Sequence, residues 1–92
     1  MKATRHFIGT TTFGAKVERA QAANGAWYAR EYAFNGRGMA WGKWYKTEAP
    51  TFETTATNVY TGEVSQLDTP RAMWGFQPMR ELSGPHSIRL PA

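Results

Sequence analysis

From Trp27 to Phe34 the chain alternates: Tyr28, Arg30, Tyr32 and Phe34 hold even positions, and Trp27, Ala29, Glu31 and Ala33 hold odd ones. A period of two is that of a β-strand, so the two sets face opposite sides of a sheet. Asn24-Gly25 and Asn35-Gly36 punctuate this pattern. Asn-Gly accepts positive φ and turns hairpins, so the runs at about 15–22, 26–34 and 38–46 are predicted to form an antiparallel meander.

Charge selects the register of the first hairpin. A two-residue loop at Asn24-Gly25 would set Glu18 against Glu31 and Arg19 against Arg30, and like charges directly opposite are unfavourable. A three-residue loop, Ala23-Asn24-Gly25 with Gly25 left-handed in a bulge, sets Glu18 against Arg30 and is the preferred register. In the second hairpin, a four-residue loop from Asn35 to Gly38 pairs Phe34 with Met39, Tyr32 with Trp41 and Tyr28 with Tyr45. That arrangement stacks aromatics on one face and leaves Trp44 and Lys46 on the other. A rival remains for 15–23, because AKVERAQAA consists largely of good helix formers with Gly25 placed as a stop beyond it.

Flanking segments complete the outline. His6 to Phe13 reads as an opening strand ended by Gly14, and the Thr-rich TFETTATNVYT at 51–61 reads as strand and loop. Thr69-Pro70 reads as a helix cap and first helical residue, followed by a short turn from Arg71 to Trp74. Gly75, Pro78, Gly84 and Pro85 predict irregular chain thereafter, with Met73, Trp74, Phe76 and Met79 as a lid over the aromatic face. The expected fold is therefore α+β and mainly β: a twisted antiparallel meander of about four strands, one or two short helical segments and an irregular C-terminal tail. Ninety-two residues form a single domain, 1–92, with a small core.

Composition narrows the chemistry. The sequence has no cysteine, which removes disulfides and thiolate chemistry and suits a reducing cytoplasm. It has no signal-like or membrane-length apolar run, so the expectation is a cytoplasmic protein with no membrane partner. His6 and His86 lie at opposite ends of the sequence with no acidic or histidine neighbour at ligand spacing, so no metal is expected. No nucleophile elbow or phosphate loop is present, since Gly36-Arg37-Gly38 lacks the rest of the motif. Glu18 and Glu31 would be the acid–base pair of an enzyme, but adjacent arginines would keep them ionised. No catalytic residue, cofactor or small-molecule substrate is expected.

Charge is uneven. Residues 1–46 carry eight Lys and Arg against Glu18 and Glu31, a balance of +6, whereas 47–66 carry only Glu48, Glu53 and Glu63, a balance of −3. Seven of the thirteen aromatic residues fall between Trp27 and Tyr45, among Arg30, Arg37 and Lys43 and next to Lys46. Aromatic faces beside cations either build a core or grip an anion, and single-strand nucleic-acid binders use that combination. The candidate anion-facing set is Arg30, Arg37, Lys43 and Lys46, extended by Tyr28, Arg19 and Lys16.

From MKATRHFIGTTTFG through NGAWYAREYAFNGRGMAWGKWYKTE to PRAMWGFQPMREL, the chain resembles the small phage-encoded anti-CRISPR proteins that inhibit the type I-F surveillance (Csy) complex. Such inhibitors share no common fold or catalytic signature, so no residue role is carried over. The resemblance implies a non-enzymatic blocker in the cytoplasm of an infected bacterium. Its partners would be subunits of the surveillance complex and its guide RNA. Many such blockers are acidic DNA mimics, and the basic half of this chain departs from that pattern. A free-standing phage nucleic-acid-binding or regulatory protein is the alternative.

Overall fold

The computed structural model describes residues 1–11 and 14–91. Eight strands form one antiparallel sheet: β1 (Ala3–Thr10), β2 (Lys16–Ala22), β3 (Trp27–Phe34), β4 (Met39–Trp41), β5 (Tyr45–Thr47), β6 (Thr51–Thr57), β7 (Val64–Trp74) and β8 (Gln77–Leu82). Their lateral order is β4-β3-β2-β1-β8-β7-β6, with β5 beside β4 on the outer edge of β3. The mainly-β expectation holds, but there are eight strands in place of about four and no helix among the described residues.

Both expected turns form. Glu18 pairs with Arg30 across β2 and β3, as the three-residue loop requires. Gly25 has φ 90°, its N–H donates to the Ala22 carbonyl at 2.9 Å, and the Ala22 N–H donates to the Ala26 carbonyl at 2.8 Å. The helical alternative for 15–23 is overturned, since pairing on both sides outweighs a propensity difference of a few tenths of a kcal/mol per residue. In the second hairpin Phe34–Met39 and Tyr32–Trp41 pair as expected. Tyr28 meets Lys46, however, and Tyr45 meets Ala29. One extra residue between Trp41 and Tyr45 splits the run into β4 and β5 and exchanges the faces of everything beyond it.

The expected helix at 69–74 is strand, and 77–82 is strand where irregular chain was expected. Each proline sits in a gap or at an end of a neighbouring ladder, although Pro78 pairs with Met73 in the β7–β8 hairpin. Pro70 lies where β6 pairing skips from Gln66 to Arg71 and precedes the first residue paired with β8, Ala72; Pro78 precedes the β1-paired stretch Arg80–Leu82. The opening strand begins at Ala3, and the end assigned to it at Phe13 lies outside the described residues.

Paired residues share a face, so the register defines two. On one face Phe7, Val17, Ala72, Trp74 and Met79 form a buried cluster, with Trp27 packed against it. Trp27 and Trp74 ring centroids are 5.6 Å apart although β2, β1 and β8 separate their strands. Four steps in a flat sheet would cover about 19 Å, so the sheet curls towards this face and makes its own lid. The expected lid over the aromatic face does not form: Met73, Trp74 and Met79 are buried, but Trp74 and Met79 pack on this face, opposite the aromatic one, with Phe7 and Trp27, and Phe76 is fully exposed in the β7–β8 turn. The opposite face is covered at one end by the C-terminal tail, whose Ile88 and Leu90 pack on Ala3, Ala20, Ala22 and Tyr28. Backbone bonds from Leu90 N–H to Met1 and from Ala3 N–H to Ile88 hold the tail there.

Candidate anion-binding face

The tail stops short, and the same face continues uncovered. Strand pairing sets Thr10, Lys16, Tyr32 and Trp41 in one row, with Ile8, Glu18, Arg30 and Arg80 in the next and Arg71 just past the last β7–β8 pair, Ala72–Met79. Thr10, Lys16, Trp41, Ile8, Glu18, Arg80 and Arg71 border an open hollow of about 820 Å³, with Tyr32 and Arg30 beside it. Beyond it, at the free end of the β3–β4 hairpin, Phe34 is 71% and Met39 53% exposed. An apolar strip with cations around it is the composition of a binding surface.

Arg30 organises this face. Its guanidinium lies 4.7 Å from the Trp41 ring centroid and 4.6 Å from that of Trp44. Nη2 donates to the Glu18 carboxylate at 3.3 and 3.4 Å, and Glu18 also meets His6 Nε2 at 2.9 Å. Glu18 is buried, so the ion pair compensates a charge that would otherwise be costly. The His6 ring stands edge-on to His86 of the tail, with centroids 5.8 Å apart. Arg30 is thus spent on Glu18 and on orienting two indoles; its Nε is buried with no hydrogen-bond partner among the described residues.

The other predicted residues divide. Lys16 is exposed beside the hollow, 5.8 Å from the Tyr32 ring, and exposed Lys46 shares the face through its pairing with Tyr28. Tyr28 is 4% exposed and belongs to the core under the tail. Arg37 is exposed in the β3–β4 turn, where its N–H donates to Asn35 Oδ1 at 3.0 Å. Lys43 borders a smaller hollow with Glu31, Ala33, Ala40 and Tyr45 on the opposite face. Arg19 also lies on that opposite face, bonded to Thr47 Oγ1 at 2.6 Å and set over Trp74; burial pulls its pKa down, against the attraction of Tyr45, Glu48 and Glu31. The open aromatic platform is therefore Tyr32 and Trp41, with Trp44 beside them partly buried against the core under the tail, and Lys16 and Lys46 are the predicted cations that share the face.

Arg80, Arg71 and Ile8 join the hollow without having been anticipated. Ile8 and Arg80 meet through the β1–β8 pairing, which joins distant parts of the sequence and for which no local signal exists, and the β7–β8 hairpin carries Arg71 alongside. Likewise His6, read as lacking a carboxylate neighbour, finds Glu18 across a strand pair. Among the described residues no three metal-ligating side chains converge. Glu18 and Glu31 lie on opposite faces and cannot act on one substrate atom.

The sequence matches no protein-family model, and no curated protein or solved structure matches it significantly.

Proposed function

We propose that this chain is a stoichiometric, non-enzymatic inhibitor of a type I-F CRISPR surveillance ribonucleoprotein, acting in the cytoplasm of the infected bacterium to block pairing of target DNA with guide RNA. The observation that carries the reading is the open aromatic face bordered by Lys16, Arg80 and Lys46. Exposed bases stack on indole and phenol rings for about 1–3 kcal/mol each, and the lysine and arginine groups are placed for phosphates. The Arg30–Glu18 pair fixes Trp41 and Trp44 before any partner arrives, which reduces the ordering cost on binding. A wedge on the guide stops hybridisation sterically, since the target must pair with an exposed guide in its channel. A free-standing phage nucleic-acid-binding protein uses the same face, and the two readings separate on whether protein subunits are needed.

The test is titration of purified guide-loaded type I-F complex with this chain, followed by labelled target DNA. Target binding should fall in proportion to inhibitor bound and return when inhibitor is stripped off. Equal affinity for bare guide RNA would favour the alternative. One molecule disabling many complexes would overturn the stoichiometric reading.

A further inference from the structure

The strands β6 and β7 continue past the body of the sheet as a two-stranded arm. Every residue from Thr57 to Gln66 is exposed, and the molecule reaches 47 Å in its longest dimension against 20 Å in its shortest. A lone ribbon is only marginally stable, and among the described residues no residue of this one from Thr57 to Gln66 is even half-buried. Its turn is nevertheless tightly built. Asn58 Oδ1 accepts the N–H groups of Tyr60 and Thr61 at 2.9 and 3.2 Å. The Gly62 N–H donates to the Asn58 carbonyl, the Asn58 N–H to the Glu63 carbonyl, and the Glu63 N–H to Thr61 Oγ1. Gly62 supplies the positive φ of 73° that closes the turn. This scaffold presents Val59 at 87% and Tyr60 at 94% exposure, with Val64 at 60% beside them.

Charge separates the arm from the rest of the molecule. Residues 47–70 contain Glu48, Glu53, Glu63 and Asp68 and no Lys, Arg or His, in a chain of net charge +4. Glu53 is paired with Arg71, but Glu63 and Asp68 have no ion pair among the described residues. Carboxylates repel phosphates, so the arm does not suit nucleic acid. An apolar tip in a rigid turn, with carboxylates behind it, suits a protein.

We infer that the tip of the β6–β7 arm is a protein-docking finger, with Tyr60 and Val59 entering an apolar cleft and Glu63 and Asp68 meeting lysines or arginines around its rim. The inference rests on the ribonucleoprotein reading and adds a division of labour: the aromatic face meets the guide, and the arm meets a basic protein subunit. Two contacts on one rigid chain multiply affinity without a larger interface at either.

The closing experiment measures binding of guide-loaded type I-F complex to immobilised chain. Tyr60→Ala should weaken binding at least tenfold, mainly through faster dissociation, and Glu63→Lys with Asp68→Lys should slow association at low salt. Neither change touches buried chain, so both variants should melt with the parent. A benzophenone amino acid at position 59 should crosslink to a protein subunit. Parental affinity in both variants, a crosslink to guide RNA, or a crosslink between two copies of this chain overturns the finger. If the parent itself does not bind the complex, the proposed function falls and takes the finger with it, a pattern distinct from parental binding by arm variants.

Discussion

The two ends of this sheet both present aromatic side chains to solvent, and they hold them by different means. At the β3–β5 end, Trp41 and Trp44 are fixed by a side chain, the Arg30 guanidinium, which is itself anchored by buried Glu18. On the arm, the backbone of Tyr60 is held by its N–H donating to the Asn58 side-chain Oδ1, and its side chain is 94% exposed. The first solution ties the aromatic face to the stability of the fold; the second leaves the arm free to change without consequence for the body. Each end also carries one Arg–Glu pair, which makes the contrast measurable. Arg30–Glu18 is the longer pair, at 3.3 Å, but only 26% and 11% of those side chains is exposed. Arg71–Glu53 is shorter, at 2.6 Å, yet both partners are more than 40% exposed.

Burial should outweigh distance. Arg30→Ala leaves Glu18 buried with only His6 beside it and releases two indoles, so a loss of about 3 kcal/mol is expected. Arg71→Ala should cost about 0.5 kcal/mol, the range of a solvated pair. Urea melts of both variants check the pair of values. Equal losses would mean that bond length decides and that the Arg30 site is not a stability centre.

Trp41→Ala sharpens the contrast within the β3–β5 end. Trp41 is 37% exposed, so a loss of about 1–2 kcal/mol is expected, less than for a fully buried indole. The variant should fold and should lose most of its affinity for the guide-loaded complex. Unfolding at 25 °C would assign Trp41 to the core and remove it from the interface.

What was legible in the sequence was local. Glu18, Arg19, Arg30 and Glu31 oppose like charges with a two-residue loop and set Glu18 against Arg30 with a three-residue one, so charge chose between these two registers without reference to anything distant. Tyr32–Trp41 followed from loop length in the same way. The slip at Gly42–Trp44 was not legible, because a single extra residue leaves composition and periodicity almost unchanged while moving Tyr45, Trp44 and Lys46 to new faces. Thr69-Pro70 misled for another reason: its cap chemistry is that of a helix start, and only the interrupted pairing of β6 with β7 shows that a strand tolerates it. The candidate site was half legible. Tyr32, Trp41 and Lys16 came from one meander, whereas Arg80 depends on β8 lying beside β1, a pairing that no short-range rule specifies.

Charge reversal probes the open face without disturbing the pair beneath it. Lys16 and Arg80 are exposed, so Lys16→Glu with Arg80→Glu should change stability by less than about 0.5 kcal/mol. Binding to the guide-loaded complex should weaken at least tenfold, and its dependence on salt should become shallower by about two phosphate contacts. Affinity and salt slope measured between 50 and 200 mM salt, an order-of-magnitude range that spans the screened regime, check this. An unchanged slope would move the anion contact to Arg37 or Lys46.

The smallest expected effect lies where the two regions join. Arg5 on β1 donates from Nε and Nη2 to Glu81 at 2.7 and 2.8 Å, and its guanidinium lies 5.1 Å from the ring centroids of both Phe7 in the core and Phe52 at the base of the arm. Hydrogen bonding from Arg5 holds the Glu81 carboxyl below its ordinary pKa, against a smaller opposing push from burial. A depressed carboxyl contributes stability that is present above the unfolded value, about 4.3, and is lost as pH falls through the folded one. Because the side chains are 36% and 42% exposed, the contribution is about 0.5 kcal/mol. Melting temperatures at pH 6 and pH 3 should therefore differ slightly more in the parent than in Arg5→Gln, an acid limb of about 2–4 °C. If Arg5→Gln instead loosens the arm, seen as faster amide exchange from Thr51 to Glu53, the guanidinium acts mainly through Phe52, and the arm is less independent of the body than its exposed tip implies.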